Sequence, residues 1–471
     1  MKEVRKKSAD PAVNQMLQQA YKKHVTLTWD RADAMQPQCG FARLALCCSD
    51  CAAGPCRVSP FATEEQGTIC GRDQQDLVAA SLVKQVAAGS RALLQLAGEF
   101  GVNLDASLLQ KVLVGDNMAG MSTASKSLAE LGDCALTALT AIRQAKSAPT
   151  HPTETHVNLG TLPADQPNII IYGHVSPTVV SSLANAVEVN GVNLLSMAGN
   201  EVSGQWNLPI VTNYDSQETP LLTGAVDLLV MGSQCVMPAV PKLAAKLGIP
   251  CTVANQLKNP SEVDAAVQAA LSHFQARANH ATAIPQTLER LVANYTVENS
   301  GEIIKKLVAG YSSGQVQGLA YFGGCGNIAN TQDSGLISLA SSLSKQGYLL
   351  VTAGCAGTAL AKAGLCDPAK HKVSGTDLPA VLHVGACHDA AVFLGMAAQA
   401  AENGLPVFAV FTELVHQKML ATALAFAVAG ITVYADLDWA FGDEAVAEWL
   451  QHGLQPTGGS IVPLSSLAGA K

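Results

Sequence analysis

Apolar positions recur at three- and four-residue spacing through Leu77–Phe100 and again through Asn103–Leu113, in stretches rich in Ala and Leu. That period predicts helices with one buried face. From about Ser8 to Lys146 the pattern is mostly helical outside a single cysteine-rich stretch. Ser147–Asn168 then holds four prolines among Thr, Asn and Asp, the composition of a linker. Beyond it, short apolar runs alternate with Ala-rich helical stretches, as in parallel sheets covered by helices. A helical and polar stretch near Leu271–Ser300 is expected to divide two such sheets.

The residues at the end of each apolar run carry the chemistry. IIIYG runs into His174, NLLSMAG passes Met197 toward Glu201, and VDLLVMGSQ ends at Cys235. GLAYFGG ends at Cys325, YLLVTAG at Cys355, VLHVGA at Cys387, and VFAVFTELVHQ at Lys418. In open α/β sheets ligands bind beyond the carboxyl ends of the strands, where glycine-rich turns leave room. Chance does not readily put cysteines at four such ends, so the runs predict one shared metal site. Cys134, Cys251 and Cys366 fall outside this pattern and are expected to be small buried hydrophobes.

Length and composition narrow the class. At about 150 residues per domain, 471 residues make roughly three domains. The chain is 48% hydrophobic and 14% charged, which excludes a disordered or nucleic-acid-wrapping protein. With 37 acidic against 29 basic residues the net charge is −8, a balance that repels phosphate backbones and anionic lipid. The expected partners are a small-molecule substrate and other proteins, with no nucleic acid and no membrane insertion. The longest uncharged run, Met419–Ala435, falls short of a membrane span and reads as a buried helix running into a strand. The opening MKEVRKKSADPAV lacks the apolar stretch of a signal peptide, so the thiols are expected to be cytoplasmic, reduced and metal-holding.

Six of the thirteen cysteines crowd into Cys39-x7-Cys47-Cys48-x2-Cys51-x4-Cys56-x13-Cys70. Four thiolates from one short loop suit a cubane iron–sulfur cluster; zinc is the alternative, because C-x2-C pairs also make zinc sites. Six exceed one four-ligand site by two. A two-fold dimer would double that remaining pair to four, which predicts a homodimer with a bridging cluster.

These residues also carry a resemblance. WDRADAMQPQCGF, CCSDCAAGPCRVSPF and GTICG are similar to the opening of anaerobic nickel–iron carbon monoxide dehydrogenases. The similarity continues through GNEVSGQWNLPIVTNYDSQETPLLTGAVD, SQCVMP, GGCGN, TAGCAGTALAKAGL and VGACHDAA. It spans nearly the whole chain, which is shorter than typical members, mainly between Cys70 and His174. The resemblance implies an α/β protein: an N-terminal helical domain with a relay-cluster loop (1–155), then two Rossmann-like parallel-sheet domains (156–285 and 286–471). It also implies that Cys48, Cys51, Cys56 and Cys70 hold a B-type [4Fe–4S] cluster. Cys39 and Cys47 would share a D-type cluster across a homodimer, passing electrons to a ferredoxin-like carrier. His174, Cys235, Cys325, Cys355 and Cys387 match ligands of the C-type active-site cluster, and Lys418 matches a lysine near the substrate.

Two departures touch the chemistry. The cysteine that helps hold the family's unique iron aligns with Met197, whose thioether is neutral and a weaker donor for iron. The histidines that carry protons away align with a stretch holding Leu93, Leu94 and Leu96. His383 and His388 lie near Cys387 without an obvious claim to that role. The sister hybrid-cluster proteins reduce hydroxylamine or nitric oxide at an iron–sulfur–oxygen cluster that carboxylates help to hold. One such carboxylate falls where this chain has His416, and Glu201 lies in the loop that offers another. Glu201 has a second-sphere hydrogen-bonding role as its alternative, and His416 that of a loop histidine.

Three functions therefore compete. The first is two-electron reduction of a small N–O compound at a modified Fe–S(–O) cluster. The second is CO oxidation at a Ni–Fe–S cluster with another proton route. The third is a non-catalytic electron-transfer or sensor protein. A dinucleotide enzyme is the decoy, because Gly324-Cys325-Gly326-Asn327-Ile328-Ala329 fits a loose G-x-G-x-x-A pattern. Covalent Cys–His catalysis fits less well, since it needs one activated thiol rather than four converging ones.

Overall fold

The computed structural model describes residues 6–61, 67–115, 121–147, 149–199, 206–277, 280–454 and 458–467. In chain order its strands are β1 (Cys47–Cys48), β2 (Cys56–Arg57), β3 (Thr153–Val157), β4 (Asn168–Tyr172) and β5 (Asn193–Met197). Next come β6 (Leu228–Met231), β7 (Cys251–Val253), β8 (Glu289–Ala293), β9 (Gly318–Gly323) and β10 (Tyr348–Thr352). The last are β11 (Val381–His383), β12 (Val407–Phe411), β13 (Thr432–Ala435) and β14 (Ser460–Pro463). The chain forms two compact units, one of residues 1–33 with 143–406, the other of 34–142 with 407–471.

The first unit is built on parallel strands. One sheet has the order β5, β4, β6, β7, all parallel. Its strands read as continuous apolar runs because both faces are covered; every residue of β4 is buried. On one face Ile170, Tyr172, Leu195 and Leu229 pack with Ala12, Val13 and Met16 of the helix Pro11–Lys22. On the other, Ile169, Ile171 and Val230 meet the helices Pro177–Asn190 and Pro260–Arg277. Strand order reverses between β4 and β6, the switch point where such sheets open a crevice.

The unit's other strands run in the order β9, β10, β11, β8, β3, parallel except for the antiparallel β3–β8 pair. Neither β3 nor β8 is expected from the apolar pattern: β3 lies inside the expected linker and β8 inside the expected polar break. The reason is visible in β3, where alternate residues face solvent, and in the Arg290–Glu154 ion pair at 2.7 Å across the two strands. A half-exposed edge pair carries too few apolar residues to register as a run.

Behind β10, the helix Gly354–Lys362 is anchored by a buried ion cluster. Lys362 Nζ lies 3.2 Å from Asp10 and 3.4 Å from Asp333, and it donates to the Asn213 side-chain oxygen at 3.2 Å. Asp10 also caps the helix Pro11–Lys22 by accepting from the Ala12 amide. The amino-terminal helix and the helix carrying Cys355 are thereby fixed to one charge cluster.

In the second unit, the helix Gln74–Glu99 starts at Asp73, whose carboxylate accepts from the Asp76 amide at 2.8 Å. It packs along the helix Gln417–Val428. The crossing is close at Gly89, where an added Cβ would fall 2.1 Å from the Gln417 carbonyl oxygen. The helix Gln74–Glu99 is long and apolar enough to span a membrane by composition, yet two-thirds of its most apolar window (67%) is buried within the fold. The run Met419–Ala435 forms, as expected, a buried helix and then β13, which pairs in parallel with β12 and β14.

Candidate metal centre

Each strand end that the sequence marks turns sharply on a left-handed backbone. Gly173 (φ 74°) precedes His174, Gly326 (φ 89°) follows Cys325, Gly354 (φ 62°) precedes Cys355 and Gly385 (φ 135°) leads to Cys387. Cys235 itself takes φ 60°, a region where a side chain costs energy, as is common at ligand sites. Its carbonyl is held by the Gln217 side-chain amide at 2.8 Å, and Gln217 in turn accepts from the Tyr172 hydroxyl at 2.7 Å. Gly232 is needed for a different reason: an added Cβ would lie 2.0 Å from the His174 carbonyl oxygen. The β4 and β6 ends can therefore approach only through glycine.

His174 lies just past β4 and Cys235 just past β6, on the two strands that flank the switch point. Cys325, Cys355 and Cys387 lie past the neighbouring strands β9, β10 and β11. The ends of β10 and β11 are zipped together, with the Gly354 amide donating to the Gly385 carbonyl at 2.8 Å. A Cβ on Gly354 would sit 2.7 Å from that of Cys387. His174 Nε2 lies 3.6 Å from Cys387 Sγ. His174, Cys387 and His388 each bring a ligand atom within 4.8 Å of the other two. All three are at least partly buried; His388 is 2% exposed.

The remaining thiols are registered by two tyrosines that sequence reasoning passed over. Burial pushes the Tyr214 phenol up to about 12, and Cys235, Asp215, Cys325 and Cys355 push it in the same direction. Burial likewise raises Tyr321 far above its ordinary range, with Cys387, Cys325 and Asp389 adding to it. The strand-end thiols thus share one neighbourhood in the first unit. Tyr214 and Asp215 belong to the NYDSQE string, which the sequence marks only as part of a longer family similarity. Asp215 packs against Gly326, where an added Cβ would meet its carboxylate at 2.4 Å.

The other expected site residues are more scattered. Met197 is fully buried on the apolar face with Ile170, Tyr172 and Leu195. Glu201 lies outside the described residues. Lys418 and His416 belong to the second unit: Lys418 is buried in the helix Gln417–Val428, and His416 is half-buried just before it. Burial, with the Lys418 ammonium second, pushes His416 down to about 4. Lys418 is a helical residue rather than the tip of a strand-end turn, because β12 stops at Phe411.

The six-cysteine loop is in the second unit. β1 pairs antiparallel with β2, setting Cys48 opposite Cys56. A Cβ on Gly54 would meet the Cys48 carbonyl, the Cys56 amide and the Cys51 carbonyl at 3.1, 3.2 and 3.4 Å, so three of the cysteines fold around that glycine. Arg72 reaches Cys48 Sγ at 3.7 Å and pairs with Asp50 at 2.6 Å. The Thr68 hydroxyl, then the Arg72 amide, hold the Cys70 thiol below its ordinary value. Cys39 and Cys47 are exposed neighbours. The amides of Ala42 and Phe41 lower Cys39, whereas burial and the adjacent Cys39 raise Cys47. Cys48, Cys51 and Cys56 around one tight turn are soft donors of the kind a cubane cluster takes.

Cys134 and Cys366 are buried, as expected of small hydrophobes, but Cys251 is exposed at the start of edge strand β7. The dinucleotide pattern lacks its context, because the next helix after β9 begins only at Ser334, well past the glycines.

Comparison with known proteins agrees with the layout. Residues 106–465 match the Prismane/CO dehydrogenase family. Carbon monoxide dehydrogenase 1 of Carboxydothermus hydrogenoformans is 27% identical, covering 94% of this chain and 93% of the relative. Carbon monoxide dehydrogenase 1 of Methanosarcina mazei is 26% identical, covering 95% and 93% respectively. Among solved structures, carbon monoxide dehydrogenase IV from Carboxydothermus hydrogenoformans superposes with a TM-score of 0.87 at 24% identity, covering 98% of this chain and 96% of that one. The last similarity establishes the fold.

Proposed function

Because the chain belongs to the Prismane/CO dehydrogenase family and is an iron–sulfur oxidoreductase of it, we propose that it reduces a small N–O compound of the hydroxylamine class by two electrons. The N–O bond breaks, and two electrons with two protons convert hydroxylamine to ammonia and water. His174, Cys235, Cys325, Cys355 and Cys387 would hold the C-type cluster, with Glu201 and His416 as further candidates. When bound, that cluster supplies the electrons and an open metal coordination position. Cys48, Cys51, Cys56 and Cys70 would hold the B-type cluster. Cys39 and Cys47 would hold half of a D-type cluster shared with a second copy, and a ferredoxin-like carrier would deliver electrons there.

Met197 is the observation that carries this reading. A buried thioether set in an apolar core would leave one iron of such a cluster without a charged soft ligand, and a site short of a thiolate would favour harder oxygen or nitrogen donors. Leu93 and Leu96, which are fully buried and carry no ionisable group, do not bear on the choice, because either reaction moves two protons and would need another route for them. One further feature of the chain supports the N–O reading. In the first unit, a cavity of about 250 Å³ is lined by Arg143, Lys146, Asn294, Thr296, Glu298 and Asp389, the residue that follows His388 in sequence. Its charged walls suit a polar molecule better than an apolar gas. Lys146 bonds both oxygens of Asp389, at 2.6 and 2.8 Å, which fixes the carboxylate in the cavity lining.

CO oxidation at a nickel-containing cluster is the second reading, favoured by the similarity to carbon monoxide dehydrogenases over 94% of the chain. Protein matured anaerobically should consume hydroxylamine with reduced viologen and contain less than stoichiometric nickel. Full nickel occupancy together with CO-dependent viologen reduction would establish the second reading instead.

A further inference from the structure

Resting on the proposal that these strand ends hold a metal cluster, we propose that His388 is a third protein ligand, with His174 and Cys387, to one metal ion. It would supply the donor that Met197 cannot. The distances fit ligation to one ion. Around a tetrahedral first-row metal, with bonds of about 2.0 Å to nitrogen and about 2.3 Å to sulfur, neighbouring N and S ligand atoms are about 3.5 Å apart. His174 Nε2 and Cys387 Sγ stand 3.6 Å apart. His388 has a ligand atom within 4.8 Å of both, close enough for one ion to lie among the three. The rings of His174 and His388 have centroids 5.2 Å apart and are tilted by 54°, so they do not stack; this leaves their edges able to converge on one point.

Ligating imidazoles are usually oriented by a carboxylate on their far nitrogen. Asp389 Oδ2 lies 3.9 Å from His388 Nε2, an ionic neighbour at more than hydrogen-bond length. That carboxylate is itself held by Lys146 and by the Ala386 amide at 2.8 Å. Gly385 permits the arrangement, because an added Cβ would fall 2.3 Å from Asp389 Oδ2. Two imidazoles and one thiolate form a mixed set that suits Fe(II), Ni(II) or Zn(II) better than a hard cation. A weak thiol–imidazole hydrogen bond would also give 3.6 Å, but it would not require His388.

The test uses anaerobically matured protein labelled with 15N-histidine. Metal-bound imidazole nitrogens are counted by pulsed electron–nuclear resonance, and chelator resistance is measured in wild type, His388→Ala and His388→Ala/Met197→Cys. The expected count falls from two to one in His388→Ala. The chelator concentration that strips half the site metal should fall on the order of tenfold to a hundredfold, the range seen when even an orienting partner is lost. The double variant should regain retention with a single nitrogen, which excludes simple misfolding. A wild-type count of one, or a stripping concentration that His388→Ala leaves within twofold, overturns the ligand assignment while the cluster reading stands. Wild-type protein with iron and sulfide for the relay loop alone overturns the cluster reading. In that case Ni2+ is titrated into the chain, and the imidazole count from X-ray absorption, with and without His388, decides the ligand assignment.

Discussion

Acidification should loosen the first unit through one residue, His383. It is the last residue of β11 and fully buried, and its Nδ1 accepts from the Gly385 amide at 3.3 Å. Its Nε2 faces Gly357, where a single added Cβ would come within 2.4 Å. Burial holds the imidazole neutral and pushes its pKa from 6.5 down to about 4, only partly opposed by Asp389. In the unfolded chain the ring takes up a proton near 6.5; in the folded chain it does so only near 4. Between those values the unfolded state binds more protons, so stability is complete above about 6.5 and is lost as pH falls toward 4. The shift corresponds to about 3 kcal/mol at roughly 1.4 kcal/mol per pH unit. The assay is amide hydrogen exchange of the β11 peptide across that window in wild type and His383→Asn. The asparagine keeps an acceptor near the Nδ1 position but does not titrate. The variant's protection should lose about one proton's worth of pH slope. An identical slope in both proteins would show that His383 is not the group that titrates, because acid loss of bound metal is common to the two.

Replacing Lys362 with Met would leave Asp10 and Asp333 facing each other without their cation in a site where all three are at most 4% exposed. A cost of about 3–5 kcal/mol is expected, read as a fall in the urea midpoint of the first unit; a loss below about 1 kcal/mol would mean the cluster is better hydrated than its burial implies. Gly354→Ala combines φ 62° with a Cβ placed 2.7 Å from that of Cys387. Strand-end iron should be lost while relay-loop iron is retained, as measured by iron per chain in variants lacking one set or the other. The double change Cys39→Ser/Cys47→Ser touches two exposed side chains, so the fold should be unaffected. Sedimentation and iron content should instead report a weakened dimer lacking the bridging cluster, and an unchanged dimer with unchanged iron would count against a shared site.

Much of the site was legible because its chemistry is written at strand ends. A parallel strand buried on both faces is a continuous apolar run, so β4, β6, β9, β10 and β11 stand out, and the next unusual residue is the one aimed at the crevice. The features that escaped notice are encoded differently. β3 and β8 pair as a half-exposed edge whose alternate residues are polar, and their register is set by charges such as Arg290 and Glu154 that lie far apart in sequence. Tyr214 and Asp215 sit in a short buried turn without periodicity, so only packing shows that they adjoin the thiols. Lys362 reads as the last polar residue of a helix until the fold delivers Asp10 and Asp333 to it.

His388 is the sharpest case of this difference, because its sequence neighbour Cys387 absorbs the attention that its spatial neighbour His174 should direct to it. A ligand set is a property of distances, and in this chain the residue suited to replace a lost donor is not at the aligned position. Met197 is committed to the core face of β5, beside Tyr172 and Leu195, and its thioether packs as hydrocarbon does. Restoring a thiolate there would remove apolar volume from a filled core, at a cost of about 1–3 kcal/mol. A histidine already buried past the end of β11 lies within 4.8 Å of both other ligand atoms. If His388 takes the place of the missing ligand, the compensation is the one that leaves the core intact, and the substitution that matters lies in the strand-end turn and not in the strand.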